Sequence, residues 1–314
     1  MKKIFLLFTA AVMATGVMYA QDLNKAIEAA NNGNEAFQLG EYGLALEAFQ
    51  NSLKIAEGLG ETGAEHAATC KSAICNIHMA IAKKQYNDKN FDAAIESFKK
   101  TQAVATSYGK SEVADEAAEL AKNTQINIYN SAAAEAKKAK DYATAIANYK
   151  KVLEMAPNNG IAAFQLGDAY YRTKNWDEAI KNLLFAKDNG QEKNATKLIS
   201  QVYLKQAQEA LKAKNYQAVI DMAAKSNEYL ENGNAYKLAA SAAQKLGDTK
   251  NCISLYEKYI EISPKARDLN GVICTIAVLY QQSGNKAKAI EYYEKIASDP
   301  QFGATAQEQL KVLK

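Results

Sequence analysis

Leu166-Gly167-Asp168-Ala169-Tyr170-Tyr171-Arg172-Thr173-Lys174-Asn175-Trp176-Asp177-Glu178-Ala179-Ile180-Lys181-Asn182-Leu183-Leu184-Phe185-Ala186 reads as two short amphipathic helices joined by a polar turn. Gly167 and Ala179 stand on opposite sides of that turn. Two helices crossing at close range need small side chains at the contact, with large ones such as Tyr170, Trp176 and Leu183 filling the space beside it. The arrangement recurs around seven anchors, Ala45, Ala94, Ala145, Ala179, Val219, Cys252 and Ala289. Tyr42/Ala45/Phe49, Phe91/Ala94/Phe98 and Tyr142/Ala145/Tyr149 are further copies. A pattern repeating at spacings of 33 to 51 residues predicts an all-α, superhelical α-α solenoid of helix-turn-helix units, each stabilised by its neighbours.

Composition agrees. With 3 prolines and 16 glycines in 314 residues, the chain favours long helices over strands. Polar turn signals at Leu39-Gly40-Glu41, Asn87–Asn90, Lys140-Asp141, Lys174-Asn175, Lys214-Asn215, Leu246-Gly247-Asp248 and Ser283-Gly284-Asn285 each precede an anchor by a few residues. Asn175 with Glu178 reads as a capping pair. Pro157 and Pro264 fall between units, and Asp299-Pro300 opens a final helix running to about Leu313.

The first twenty residues differ in kind. Lys2 and Lys3 precede an apolar run from Ile4 to Val17, and Met18-Tyr19-Ala20 meets the polar Gln21-Asp22. This is the pattern of a secretory leader cleaved after Ala20, so an exported, periplasmic protein is expected, outer-membrane associated or secreted. Loss of two lysines with the leader lowers the formal charge from +3 to +1. Such a chain attracts nucleic acid and anionic lipid only weakly, and two arginines, Arg172 and Arg267, leave little for bidentate phosphate recognition. No segment after the leader is expected to span a membrane.

Chemistry-bearing motifs are absent. His66 and His78 lie twelve apart with no ligand-spaced partner, and Cys70 and Cys75 do not converge with them, so no metal is expected. The four cysteines read as small buried hydrophobes, with a disulfide between Cys252 and Cys274, on successive helices of an exported chain, as the alternative. Tyr108-Gly109-Lys110-Ser111 resembles the end of a phosphate loop, but Val104 stands where a glycine is required. No cofactor and no catalytic residue is indicated.

On Gly167, Tyr170, Ala179, Leu183 and Ala186, with Ala133, Ala145, Tyr149 and Pro157 before them and Ala240, Cys252, Tyr256, Pro264, Ala277, Tyr280, Ala289 and Tyr293 after, the chain resembles the tetratricopeptide-repeat family. The copy around residues 200–232, with Val219 at its crossing, is degenerate. The divisions expected are a leader over 1–20, extended hairpins over 21–125, repeats over 126–299 and a capping helix over 300–314. Lys-rich, Arg-poor usage and the Tyr-Ala-Gln leader end resemble exported proteins of the Bacteroidetes.

The resemblance implies that the first helix of each hairpin lines a concave groove. Asn34, Gln38, Asn127, Asn130, Lys137, Asp168, Tyr171, Arg172, Gln208, Lys212, Lys237 and Lys245 would then face a ligand, with Tyr171 and Arg172 as anchors. The family's clamp for a terminal carboxylate is missing, because Ala30 and Ala80 replace its lysine and second asparagine. The function expected is a non-enzymatic protein–protein scaffold of the cell envelope holding a peptide or helix. Two rival readings are a self-associating structural protein and a cell-wall glycan-binding or processing protein.

Overall fold

The computed structural model describes residues 2–314, with side chains from Tyr19 onward. The leader expected over residues 1–20 lies outside the described side chains up to residue 18. Among the described residues there is no strand.

Seven of the left-handed residues stand inside hairpins: Gly40 (φ +76°), Lys89 (+62°), Lys140 (+62°), Lys174 (+60°), Lys214 (+59°), Gly247 (+77°) and Gly284 (+80°). In every case the next residue's N–H reaches back to a carbonyl five residues earlier, as in Asn175 to Tyr170 at 3.0 Å and Asn215 to Ala210 at 2.9 Å. This closes the first helix of a hairpin and aims the chain into the second. Each anchor read from the sequence lies five residues beyond its left-handed residue, and all seven have no exposed surface. Seven residues before it stands a second small residue, Gly33, Ala82, Ala133, Gly167, Ala207, Ala240 or Ala277, also buried. The two small positions meet where the helices cross. A methyl on Gly167 would lie 2.7 Å from Leu183 Cγ, so that crossing is closed to any larger side chain.

The chain divides into two compact units, residues 1–131 and 132–314. The first holds hairpin α1 (Lys2–Gln38)/α2 (Tyr42–Gly58), hairpin α3 (Ala64–Asn87)/α4 (Phe91–Ser107) and the start of α5 (Ser111–Lys138). The extended helices read over 52–58 and 64–85 are present as the end of α2 and the body of α3. Phe49, Leu53, Ile74 and Ile77 form one core, and Met79, Phe98 and Ala117 another. Ser52 ties α1, α2 and α3 together: its Oγ donates to the Ala26 carbonyl at 2.7 Å and lies 2.9 Å from His66 Nε2 and 3.2 Å from Cys70 Sγ. The sequence reading missed this knot, since its members lie 26 and 14 residues apart.

The second unit continues with the end of α5 against α6 (Tyr142–Met155), then α7 (Gly160–Arg172)/α8 (Trp176–Ala186), α9 (Glu192–Lys212)/α10 (Tyr216–Tyr229), α11 (Gly233–Leu246)/α12 (Thr249–Ile262), α13 (Leu269–Gln282)/α14 (Lys286–Ile296) and a single helix, α15 (Gly303–Leu313). From α6 to α15 each helix packs on the next. The final helix begins at Gly303 rather than at Pro300, because Asp299 Oδ1 accepts the Gln301 and Phe302 N–H groups at 2.8 Å and holds a turn there first. Side-chain caps start α6, α7, α10, α11, α12 and α14 through Asp141, Asn159, Asn215, Asn232, Asp248 and Asn285. The capping pair expected at Asn175 and Glu178 does not form; Asn175 makes no side-chain cap, and Glu178 turns to Asn182 and Lys181. Cys70, Cys75, Cys252 and Cys274 are free thiols, the first three fully buried and serving as small apolar side chains.

Candidate functional site

Three rows of side chains project from the first helices at fixed offsets from the left-handed residue. Six residues before it stand Asn34, Asp168 and Gln208; three before it Lys137 and Tyr171; two before it Gln38, Arg172, Lys212 and Lys245. Asn34, Gln38, Lys212 and Lys245 are exposed. Asn127 and Asn130 lie earlier on α5, exposed and half-buried respectively, and Lys237 lies exposed on α11. These residues therefore do not form one cluster; they are spread along successive helices.

One true cluster exists among them. Asp168 is buried, and its Oδ2 lies 2.5 Å from Lys137 Nζ on the preceding first helix. Its Oδ1 faces Arg172 Nε at 3.4 Å, one helical turn further on. Lys137 also donates to Gln165 Oε1 at 2.6 Å. The carboxylate is thus held inside a fork of two cations and serves as the bond between two repeats. Asp168 also helps burial to raise the phenol of Tyr149 above its ordinary value. Gln165 was not singled out from the sequence, although it lies three residues before Asp168 on the same face.

Tyr171 packs its ring against Trp176 across the turn, with centroids 5.9 Å apart. Phe37 with Tyr42 and Tyr86 with Phe91 do the same at the equivalent turns. The ring is therefore a recurring wedge at the hairpin tip, with the Arg172 guanidinium 5.6 Å from its centroid. Trp176 is half-buried and donates its indole N–H to Glu209 Oε2 at 3.0 Å, while Lys174 meets the other oxygen at 2.9 Å. Those two bonds, Lys174 first, hold the Glu209 carboxyl below its usual range.

A parallel bridge joins later repeats. Lys237 on α11 pairs with Asp268, which also accepts the Tyr259 hydroxyl at 2.5 Å. These contacts lower the Asp268 carboxyl, the lysine contributing most, and burial, then the bond to Asp268, pushes the Tyr259 phenol up to about 12. Among the described residues no group of three metal-ligating side chains converges, and no helix is long and apolar enough to cross a membrane.

Family models for the tetratricopeptide repeat match residues 136–202, 233–265 and 271–298. The chain carries tetratricopeptide repeats. The unmatched interval between the first two stretches contains α10 and its Val219 crossing, the copy read as degenerate. No curated protein matches the chain. Among solved structures, a crystal structure of MamA protein is 22% identical, covering 58% of this chain and 96% of its own, at a TM-score of 0.37. MamA 41-end from Desulfovibrio magneticus RS-1 is 14% identical over 55% and 94%, at a TM-score of 0.34. Tetratricopeptide repeats bind other proteins, and an interaction scaffold is the class of function that the repeats support.

Proposed function

We propose that the chain is a non-enzymatic scaffold of a bacterial cell envelope, exported through its N-terminal leader, that docks a peptide or helix along the first helices of the second unit. The observation that carries this reading is the set of polar side chains on those helices: Lys212, Lys237 and Lys245 are exposed and Gln208 half-buried on α9 and α11, the first helices that follow the Lys137–Asp168–Arg172 fork. Polar contacts on a rigid, repeating framework give a partner register without remodelling the scaffold. Envelope residence rests on the leader pattern, and a Bacteroidetes-like source rests on amino-acid usage.

Cells expressing the tagged chain test both parts. Mass spectrometry of the purified protein should find Gln21 as the first residue; an intact leader on a cytoplasmic protein would end the export reading. A photo-crosslinking residue at Gln208 should trap one dominant protein other than itself. Exclusive self-adducts would favour the self-associating rival, and retention on isolated peptidoglycan in place of a protein adduct would favour the glycan-binding one.

A further inference from the structure

The charge of the second unit is unevenly placed. Residues 132–314 hold 26 lysines and arginines against 20 acids. Four hairpin-tip segments, 137–143, 171–177, 211–217 and 244–250, hold nine of those cations and only three acids. The remainder of the unit is balanced, so the tips carry its entire excess.

The excess is also in register. Two residues before the left-handed position stand Lys138, Arg172, Lys212 and Lys245 in four successive repeats, all exposed. The left-handed position itself is lysine in three of them, Lys140, Lys174 and Lys214, at φ near +60°. A residue with a Cβ is strained there, and glycine fills the same position at Gly40, Gly247 and Gly284. The turn does not require cations, since Gln38, Asn87 and Gln282 occupy the equivalent of Arg172 elsewhere.

Little on the protein neutralises the row. Carboxylates engage Lys137, Arg172 and Lys174, whereas among the described residues no ion pair reaches Lys138, Lys140, Lys214 or Lys245, and Lys212 meets the charge of Glu209 without pairing to it. Of the three local acids, Asp141 and Asp248 accept backbone N–H groups of their own helices and serve as caps. The first helices α7, α9 and α11 contact one another in sequence, so the cations succeed each other at roughly one helix width, about 10 Å. An extended chain in the polyproline II form rises about 3.1 Å per residue with three residues per turn, and so returns every third side chain to one face at that spacing.

We propose that this edge of the second unit binds an acidic, extended polypeptide segment lying across successive hairpin tips. The inference rests on the scaffold reading and names the chemistry of the partner. A polypeptide fits better than a nucleic acid: one arginine stands in the row, and Tyr171 is already engaged, its ring tilted against Trp176 at 5.9 Å with the Arg172 guanidinium over it.

The test is fluorescence anisotropy with the full chain and a labelled oligo-glutamate peptide, with a single-stranded oligothymidine and phosphatidylglycerol vesicles as competing arms. The peptide should bind, and moderate salt should weaken it. Lys138→Glu/Lys212→Glu/Lys214→Glu/Lys245→Glu should weaken it at least about tenfold, the scale expected when several complementary charges are reversed. An equal change of net charge at the exposed Lys193, Lys197, Lys265 and Lys311 should leave binding within about twofold. If the reversal variant loses helicity, Lys212→Gln/Lys245→Gln replaces it, with a smaller loss in the same direction. Equal loss in both charge-reversal sets, no binding, or tighter binding of the oligonucleotide or the vesicles would overturn the proposal. So would a protein adduct at Gln208 that survives the edge variant unchanged, and that result would leave the scaffold reading standing.

Discussion

Lys137, on the helix that opens the second unit, places its ammonium 2.5 Å from the buried carboxylate of Asp168 on the next first helix. This pair joins α5 to α7 by charge, and Arg172 on α7 faces the same carboxylate. Lys137→Met leaves Asp168 buried with one poorly aligned cation, and should lower stability by about 1–3 kcal/mol. Lys137→Met/Asp168→Leu removes both charges and should recover most of that loss. Urea unfolding followed by circular dichroism measures both; additive losses would show that the pair is not a unit.

The crossing of α7 and α8 tolerates no added volume. Gly167→Ala sets a methyl 2.7 Å from Leu183 Cγ and 3.2 Å from the Ala179 carbonyl oxygen. Overpacking of about 1–3 kcal/mol should exceed the helix-propensity gain of up to about 1 kcal/mol. Ala179→Leu should cost about the same. Lys214→Gly should act oppositely, relieving left-handed strain for a gain of about 0.5–1 kcal/mol. Trp176→Ala falls below the 3–5 kcal/mol of a fully buried aromatic, because its ring is half-buried. Melting temperatures of the four variants check these signs.

Gln206 on α9 occupies the position that Leu166 fills on α7, eight residues before the left-handed turn. Its Oε1 is buried without a hydrogen-bond partner. Gln206→Leu should therefore raise stability by about 1–2 kcal/mol, and an unchanged or lower urea midpoint would refute that.

Two groups predict a response to pH. Burial, and secondarily the charge of Lys100, hold the His78 imidazole below its ordinary 6.5. The unfolded chain then binds the proton first, so stability should fall as pH drops from about 7 through the folded value. His78→Leu should flatten that slope in thermal melts between pH 7.5 and 5.5. Asp268 is depressed by Lys237 and Tyr259. Its contribution is complete above roughly pH 5 and is lost as pH falls below the ordinary carboxylate value near 3.8. Asp268→Asn should remove that acid-side component.

The register of the hairpins was legible because crossing helices demand small residues and tight turns demand polar ones. Ala45 through Ala289 follow that rule even at Val219 and Cys252, where the repeat is weakest. Asp168 illustrates what was not legible: periodicity places it on the face expected to meet a ligand, but its partner Lys137 lies 31 residues away on another helix. Tyr171 likewise has the composition of a binding anchor, yet its ring is used against Trp176. Which outward side chains pair across repeats depends on helix spacing, and a one-dimensional pattern does not carry that distance. The charge asymmetry of the tips was present in the sequence but became visible only once the seven turns were aligned on their left-handed residues.

Site-specific photo-crosslinking in living cells tests the central claim most directly, with the reactive residue at Gln208 on a first helix or at Ala224 on a second helix of the same hairpin. A single adduct with another protein from Gln208, absent from Ala224, is the predicted result. An adduct formed only from Ala224, or only between copies of this chain, would contradict it.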